Sequence, residues 1–420
     1  MNGCLCGFAP YHIENQHTVG YDVVSNRPKA AAYRAPGSPI AAFGVESVID
    51  ILAKKIGMDP AELRMKNAAH IGAPSVAGPK LAFEGYSETV QAVLDHPGYK
   101  AKLGPNQGRG VASGYWFNGA GESSATVFIN TDGTASIATG SVDVGGSRAS
   151  MALMAAETLG IDYDDIRATV SDTTSVQYTH VTGGSRVTFA TGMAVVQGCE
   201  KTIDELRKRA AMIWDVDVEG VIWEDGHAKP ASSNVGEFEP LSLKAIAAQS
   251  TATGGPIGFA SAVNAGGQAP GFTTQFCDVE VDPETGKVTI LRFVAAQDVG
   301  RAIHPAYVEG QIQGGVVQGI GWALNEEYIY DDQGRLSNAG FLDYRMPVAS
   351  DSLPVEAILV EVPNPNHPFG VKGVGEVNIC APMAAVANAI ADAVGRRMES
   401  LPMSPPKVLA ALSDREGTEL

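Results

Sequence analysis

The stretch from residue 38 to residue 66 has the clearest periodic pattern of apolar and polar positions. Apolar side chains recur every three or four residues, at Phe43, Val45, Val48, Ile49, Leu52 and Ile56. This spacing predicts an amphipathic helix, for which Gly57 is a suitable C-terminal cap. Asp59 and Pro60 follow and are typical of an N-cap and a first helical turn. The pattern therefore predicts two consecutive helices.

Two other stretches alternate apolar and polar residues around a short turn signal. In SATVFINTDGTASIATG the turn is Asp132-Gly133, and in QFCDVEVDPETGKVTILRF it is Thr285-Gly286. Both patterns predict β-hairpins. Each is followed by the tripeptide DVG, which ends at Gly145 and at Gly300. The shared order predicts an internal pseudo-repeat, with chance resemblance between two glycine-turn hairpins as the alternative.

Further helices are predicted over residues 87–95 and 149–159, and over a glycine-rich stretch that contains Gln311 and Gln318. Alternating strands and helices of this kind indicate an α+β protein. The predicted parts are the end of a first domain at residues 1–70, a linker at 71–107, a second domain of two pseudo-repeated halves at 108–400, and a tail at 401–420.

Composition narrows the class of protein. At 420 residues and 45% hydrophobic content, the chain can bury more than one core. The net charge of −17 and the absence of a Lys/Arg cluster argue against nucleic-acid binding. No uninterrupted apolar run of membrane-spanning length and no signal-peptide pattern is present. The five cysteines lack CxxC spacing, which favours free thiols. We therefore expect a cytoplasmic protein.

Several glycine-rich turns carry polar groups. Gly183-Gly184-Ser185-Arg186 precedes a predicted helix, where free N–H groups favour an anion and the guanidinium adds donors. A second loop, GVKGVGE, ends at Glu376 just before an apolar helical pattern. A carboxylate held there is a candidate acid/base group, with a solvated glutamate in an ordinary turn as the alternative.

Together these turns indicate one large polar ligand that is rich in hydrogen-bond acceptors. None has the spacing of a P-loop or a Rossmann fingerprint. No His, Cys and carboxylate residues have metal-ligand spacing, and Cys4 and Cys6 are too close together to complete such a site alone. A metal would therefore be carried by its own cofactor.

Short motifs also occur in the order typical of one family. They are YRAPG, the KNAA helix end, SVDVGGS, TGGSR, VEVDPETGKV with DVGRAIHP, GQIQGGVVQGIGWAL and GVKGVGE, and they span nearly all of residues 20–395. With them the chain resembles the molybdenum-binding subunit of the xanthine oxidase family of molybdenum hydroxylases. The resemblance implies the α+β molybdopterin-binding domains of that family.

The resemblance further implies molybdenum held by a molybdopterin, in its cytosine dinucleotide form, without a protein ligand to the metal. Glu376 matches the family's catalytic base, and Arg34 matches an arginine that steadies developing negative charge. Gly184 matches the backbone position beside the metal, so these residues would be the nearest to it. The expected cofactor-binding residues are Gly145, Gly146, Ser147, Gly183, Gly184, Ser185, Arg186, Gln311, Lys372, Gly373, Val374 and Gly375.

The chain departs from the family pattern in three places. Gly145-Gly146-Ser147 replaces the common Gly-Gln-Gly, so backbone amides would act there. Arg34 is followed by Ala-Pro and not by the Cys-Ser-Phe of carbon monoxide dehydrogenases, which argues against that activity. The family's first half has no counterpart. We therefore expect a split subunit completed by a second molybdopterin-binding polypeptide, with a fragment as the alternative.

The implied activity is hydroxylation of an N-heteroaromatic carbon, or oxidation of an aldehyde, with oxygen from water. No iron-sulfur or flavin pattern is visible, so electrons would leave through an iron-sulfur subunit and an FAD subunit. The whole complex is expected to be able to dimerise. The alternatives are a non-catalytic scaffold or cofactor-insertion protein, and a phosphate-binding enzyme unrelated to molybdenum.

Overall fold

The computed structural model describes residues 2–27, 32–76, 78–82, 85–170, 172–267, 269–351 and 354–413. The helices are α1 (Asn2–Cys6), α2 (Ser38–Ile56), α3 (Pro60–Lys66), α4 (Tyr86–Asp95), α5 (Ser147–Leu159), α6 (Gly192–Trp214), α7 (Leu243–Ala248), α8 (Ser250–Thr253), α9 (Pro305–Leu324), α10 (Pro382–Val394) and α11 (Pro405–Ser413). The strands are β1 (Gln107–Trp116), β2 (Gly121–Ile129), β3 (Ala135–Thr139), β4 (Ile166–Val170), β5 (Val221–Glu224), β6 (His227–Pro230), β7 (Leu241–Ser242), β8 (Ile257–Ala265), β9 (Gly271–Val281), β10 (Val288–Asp298) and β11 (Val355–Val360).

The structure contains the predicted helices and both predicted hairpins. The predicted helix pair is α2 and α3, and the Asp59 side chain accepts hydrogen bonds from the first N–H groups of α3. The hairpins are β2–β3 and β9–β10, both antiparallel. The small sheet β5-β6-β7 and a π-helix (Val187–Thr191) were not predicted. Strands of two to four residues carry too few positions for a periodic signal.

Only part of the apolar stripe of α2 is covered: Phe43, Val45 and Ile49 are partly buried against the cores of unit 1. Val48, Leu52 and Ile56 are exposed by 62%, 45% and 52% of their surface, whereas Glu46 and Asp50 are buried. Both buried carboxylates pair with arginines, Glu46 with Arg64 and Asp50 with Arg397. The periodic pattern predicted the helix and part of its packed face correctly, but not the burial of the two carboxylates.

Packing divides the chain into two compact units. Unit 1 comprises Met1–Asn118, Pro270–Pro363 and Val374–Leu420, and unit 2 comprises Gly119–Ala269 and Asn364–Gly373. These bounds differ from the predicted domain bounds. The reason is that β1 and β9, which pair with each other, also pack against α2 and α4, so the second hairpin folds with the N-terminal part of the chain.

Unit 1 contains a four-stranded sheet in the order β1-β9-β10-β11. The residues of its strands alternate between two cores, as strand geometry requires. Cys277 and Phe293 face a cluster that includes residues of α9 and α10. Their neighbours Phe276 and Val294 face a second cluster that includes Tyr86 of α4. The sheet is therefore covered on both faces.

Glycines in β1 allow α10 to lie directly against the strand. A Cβ at Gly110 would lie 2.0 Å from the carbonyl oxygen of Ala385 and 2.2 Å from the nitrogen of Ala389. A side chain there would collide with helix backbone, which cannot move aside without displacing the helix. The close approach of α10 to the backbone of β1 fixes the position of α10, and with it the position of the loop that precedes α10.

Unit 2 contains a four-stranded sheet in the order β4-β3-β2-β8, on which α5 and α6 pack. The two four-stranded sheets share one arrangement. In each, an antiparallel strand flanks a hairpin, and a helix joins the second hairpin strand to a parallel neighbour, as β3–α5–β4 and as β10–α9–β11. This agrees with the predicted α+β pseudo-repeat.

One apolar window, Val377–Val394, is long and apolar enough to cross a membrane by composition, but 83% of it is buried inside the fold. That burial is typical of a core helix. In the predicted tail, α11 packs Val408 into the core of unit 1. Residues 414–420 of that tail lie outside the described part of the chain.

Candidate active site

Arg34 is the centre of a polar cluster in unit 1. Its Nε donates to the carbonyl oxygen of Gly375, and its Nη2 donates to the carbonyl oxygen of Gln311 at 3.0 Å. Its Nη1 donates to the side-chain oxygen of Gln318 at 3.3 Å. The guanidinium fork therefore joins the loop before Glu376 to α9. Burial lowers the pKa of Arg34, while the attraction of Glu376 acts in the opposite direction.

Glu376 lies next to this guanidinium because its loop and the Arg34 segment are hydrogen-bonded. Its Oε1 accepts a hydrogen bond from the backbone N–H of Ala35 at 3.0 Å. The side chain is half-buried and stands at the start of a 3-10 turn (Val377–Ile379) that leads into α10. Arg34 is 277 positions from Gln311, and Ala35 is 341 positions from Glu376, yet the fold of unit 1 places these residues in one cluster.

The wall beside Glu376 is apolar. Cys6, Ala35, Trp116, Val377, Ile379 and Cys380 form one buried cluster. Burial raises the pKa of the Cys6 thiol to about 12 and raises the pKa of Cys380 as well, so both are neutral thiols. All five cysteines are free. A neutral, dry wall strengthens the electrostatic influence of Arg34 on its neighbour.

Val374 and Gly375 belong to the same loop as Glu376 in unit 1. The preceding residues, Lys372 and Gly373, belong to unit 2, and both are buried. The side chain of Lys372 is only 2% exposed.

The second group of predicted residues lies in unit 2. Gly184 and Ser185 have left-handed φ angles of 73° and 55°, and a Cβ at Gly183 would meet nothing within 4 Å. Successive residues in such conformations turn their N–H groups to one side, which suits an anion or a polar acceptor. Arg186 is buried and donates to the backbone oxygens of Ala120 and His180. The Arg186 guanidinium therefore ties the Gly183–Ser185 turn to the backbone at Ala120 and His180.

Gly145 and Gly146 also have left-handed φ angles, 69° and 79°, immediately before α5. The Asp143 carboxylate accepts a hydrogen bond from the N–H of Arg148 at 3.0 Å. The Ser147 hydroxyl points back to the carbonyl oxygen of Val142 at 3.5 Å. The Asp143 carboxylate thus satisfies one of the N–H groups in the first turn of α5.

Two residues at the Arg34 cluster were given no role from the sequence. Gln318 accepts from Arg34 and donates to the hydroxyl of Tyr33, whose ring packs against Trp322 at 5.1 Å. Gln318 lies seven residues after Gln311, which is two turns along one face of α9. That spacing was the available signal. Tyr33 carried none beyond its position beside Arg34.

Comparison with known proteins gives the family. The sequence family described as "Molybdopterin cofactor-binding domain" matches residues 93–353, and a second family with the same description matches residues 1–68. The chain therefore belongs to the molybdopterin cofactor-binding domain family, and the resemblance inferred from its motifs is confirmed.

The individual relatives include a molybdenum-binding subunit and the large subunit of a hydroxylase. The chain is 30% identical over 405 residues to the xanthine dehydrogenase molybdenum-binding subunit of Escherichia coli O157:H7, covering 91% of this chain and 54% of the relative. It is 30% identical over 439 residues to the nicotine 6-hydroxylase large subunit of Paenarthrobacter nicotinovorans, covering 96% and 53%. The chain thus spans about half the length of these relatives.

A solved structure shows the same fold. The aldehyde oxidoreductase from Desulfovibrio desulfuricans ATCC 27774 superposes with a TM-score of 0.79 at 28% identity, over 98% of this chain and 44% of that chain. The α+β fold class is therefore confirmed.

The residues present suit a molybdopterin. Among the described residues, no group of three or more His, Cys, Asp or Glu side chains is placed to hold a metal ion. The turn at Gly183–Ser185 has open space beside the backbone of Gly183, and the Arg34 cluster contains amide and guanidinium groups. Such donors match a polar cofactor whose metal is bound by the cofactor's own atoms.

Proposed function

We propose that this chain is the catalytic, molybdenum-cofactor-binding subunit of a multi-subunit hydroxylase or dehydrogenase. The observation that carries the proposal is the cluster in which Arg34 bonds to Gly375 and Gln311 while the next residue, Ala35, bonds to Glu376. One short segment thus holds both a carboxylate and a cation, beside an apolar wall. This is the arrangement that acid/base chemistry requires.

Glu376 is the general base in this proposal. Its Oε1 accepts a hydrogen bond from the N–H of Ala35, which orients the carboxylate for the proposed proton transfer. The apolar wall of Val377, Ile379 and Cys380 limits water at the carboxylate. The base therefore removes the proton of a water-derived hydroxyl group while the oxygen of that group is added to an electron-poor carbon.

Arg34 stabilises negative charge in this proposal. Its side chain is held by backbone and side-chain oxygens from two segments, so it is oriented before a substrate arrives. A pre-oriented cation in a partly dry site stabilises developing charge more than a mobile one.

The cofactor proposed is molybdenum with molybdopterin, in the cytosine dinucleotide form. When bound, it supplies the two-electron redox chemistry. We propose that Gln311 and the loop residues Lys372 to Gly375 contact the pterin. In unit 2 the proposed contacts are the N–H groups of Gly183, Gly184 and Ser185 and of the Gly145–Ser147 turn, with Arg186 as anchor of the first turn.

The substrate class proposed is an N-heteroaromatic compound or an aldehyde. The names of the relatives include a xanthine dehydrogenase and a nicotine 6-hydroxylase, and the matching structure is an aldehyde oxidoreductase. We further propose a cytoplasmic complex with an iron-sulfur subunit, an FAD subunit and a second molybdopterin-binding polypeptide. Dimerisation of that complex is part of the proposal.

A non-catalytic scaffold or cofactor-insertion protein is the second candidate. The cofactor-binding family by itself is compatible with it. The Arg34–Glu376 arrangement favours the enzyme, because a storage protein has no use for a base oriented beside a cation. Measured turnover of the complex distinguishes the enzyme from the non-catalytic scaffold.

The test is Glu376→Gln in the complex purified from cells that load molybdenum. Removing the base should lower kcat by about 10²- to 10⁴-fold at unchanged molybdenum content. The probes are benzaldehyde, quinoline and hypoxanthine, with a dye as electron acceptor and ¹⁸O-labelled water. Glu309→Gln, the same chemical change on the exposed side of α9, is the matched control and should retain wild-type rates.

Near wild-type turnover of Glu376→Gln would rule out its role as base. A wild-type complex that contains molybdenum and pterin but converts none of the probes would favour the scaffold. A protein without molybdenum and pterin fluorescence would contradict both.

A further inference from the structure

The loop that carries Glu376 has little regular structure of its own. Gly373 and Gly375 precede the glutamate, and the only short helical turn, Val377–Ile379, follows it. Glycine-rich backbone can adopt many conformations. The direction of the Glu376 side chain must therefore be set by groups outside the loop or by side chains that bond back to it.

Two buried amides converge on one carbonyl of this loop. The Nδ2 of Asn378 donates to the backbone oxygen of Val374 at 2.6 Å, and the Nε2 of Gln297 donates to the same oxygen at 3.3 Å. Both side chains are fully buried. The first bond closes a five-residue turn from Val374 to Asn378 with Glu376 at its middle.

A third amide fixes the far end of the same turn. The Nε2 of Gln275, in β9, donates to the backbone oxygen of Asn378 at 2.8 Å. Gln297 lies on the neighbouring strand β10. The turn is thus tied at its start and at its end to adjacent strands of the central sheet of unit 1, whose register is fixed.

Asn378 also fits against the helix that holds Arg34. A Cβ at Gly315 of α9 would lie 1.8 Å from the Oδ1 of Asn378, which no side chain allows. Gly315 lies between Gln311 and Gln318, the two partners of Arg34 on that helix. Asn378 therefore contacts α9 between the residues that orient the cation and closes the turn that orients the base.

We infer that Asn378 is a positioning residue for Glu376, acting through the Val374–Asn378 turn and through its contact with Gly315. This inference rests on the proposed function, since it assigns a purpose to the orientation of the proposed base. Asn378 does not touch the reacting atoms. It sets the distance between Glu376 and the groups around it.

The first test is Asn378→Ala in the molybdenum-loaded complex, assayed with benzaldehyde and quinoline. Loss of the hydrogen bond from Asn378 to Val374 should lower kcat by about 10- to 100-fold, because small displacements of the catalytic group, here Glu376, are costly. KM should change by less than about threefold, since no proposed substrate contact is altered. Asn378→Ser and Gln297→Met are milder variants that retain the fold if Asn378→Ala does not.

The matched control is Asn388→Ala. Asn388 is also a fully buried asparagine in unit 1, and its Nδ2 donates to the backbone oxygen of Val111 at 2.8 Å. It lies in α10 and does not bond to the Val374–Asn378 turn. Its loss should lower stability to a similar degree while kcat per molybdenum stays at the wild-type value.

The second test is a double-mutant cycle with Gly315→Ala. Alone, the added methyl must displace Asn378 and should reproduce the kcat loss. In the Asn378→Ala background the methyl enters space that the amide has vacated, so the double variant should be no worse than the poorer single variant. Full additivity of the two effects would overturn the contact as the route of positioning.

Backbone hydrogen exchange separates this inference from the proposed function. The N–H of Ile379 bonds to the oxygen of Glu376, and the N–H of Cys380 bonds to the oxygen of Val377. In Asn378→Ala both amides should exchange at least about tenfold faster, and in Asn388→Ala they should not. If the wild-type complex converts no probe, faster exchange in Asn378→Ala still supports the positioning role of Asn378. Unchanged exchange, or a normal kcat in Asn378→Ala, overturns it.

Discussion

Arg34 is held by oxygens that lie 277 to 341 positions away along the chain. Its motif marked it as a candidate, but its neighbours in sequence say nothing of its partners. The structure supplies them as Gly375, Gln311 and Gln318. A planar guanidinium satisfies all of these acceptors together, which a single ammonium cannot do.

Arg34→Lys should therefore impair the site although the charge is kept. We expect kcat to fall by at least about tenfold, because the ammonium cannot hold the same orientation. The free energy of unfolding should fall by about 1–2 kcal/mol through lost hydrogen bonds. Steady-state kinetics and urea denaturation measure the two effects. Arg167→Lys, at an exposed pair with Asp132, is the control, and equal kinetic behaviour of the two variants would contradict the prediction.

At the scale of elements, local patterns predicted helices and strands well and their buried faces poorly. Three residues of the apolar stripe of α2, Val48, Leu52 and Ile56, are exposed, whereas Glu46 and Asp50 are buried. A hydrophobicity pattern cannot reveal that a carboxylate has a buried arginine as its partner. Similarly, no sequence pattern indicated that α10 lies against the backbone of Gly110, as the structure shows.

Two glycine-to-alanine changes should have opposite signs. Gly110→Ala should lower the free energy of unfolding by about 1–3 kcal/mol, because its methyl collides with the backbone of α10. Gly44→Ala should raise it by up to about 1 kcal/mol, because this exposed position in α2 has open space and alanine favours the helix. Urea denaturation of both variants is the measurement. A stabilising effect at Gly110 would show that α10 is not closely packed there.

At the scale of the molecule, a buried ionic network joins distant parts of unit 1. Glu46 in α2 accepts from Arg64 in α3 at 2.9 Å and from the N–H of Ser113 in β1 at 2.7 Å. Tyr11 donates to its other oxygen. Residues from both matched family regions, 1–68 and 93–353, thus meet at one carboxylate. The network is satisfied internally, as burial demands.

Removing one charge of this network should be costly. Glu46→Gln leaves Arg64 buried without its counter-charge and should lower the free energy of unfolding by about 3–5 kcal/mol. The double variant Glu46→Gln/Arg64→Met should lose less than Glu46→Gln, since no uncompensated charge remains and the amide oxygen can still accept from the N–H of Ser113. Chemical denaturation at neutral pH compares them. A double variant that is no more stable than Glu46→Gln would contradict the pairing argument.

The sequence alone determined what depends on near neighbours: the α2–α3 helix pair with its caps, both hairpins with their glycine turns, and the motifs that indicate the family. It also marked Arg34 and Glu376 as candidates. Only the tertiary structure decided what depends on distant contacts. It placed the second hairpin beside β1, buried Glu46 and Asp50 of α2, and brought Gln318 and Asn378 to the cluster. Turn and helix signals arise within a few residues, whereas hydrogen-bond partners hundreds of positions apart are set by sheet register and helix packing.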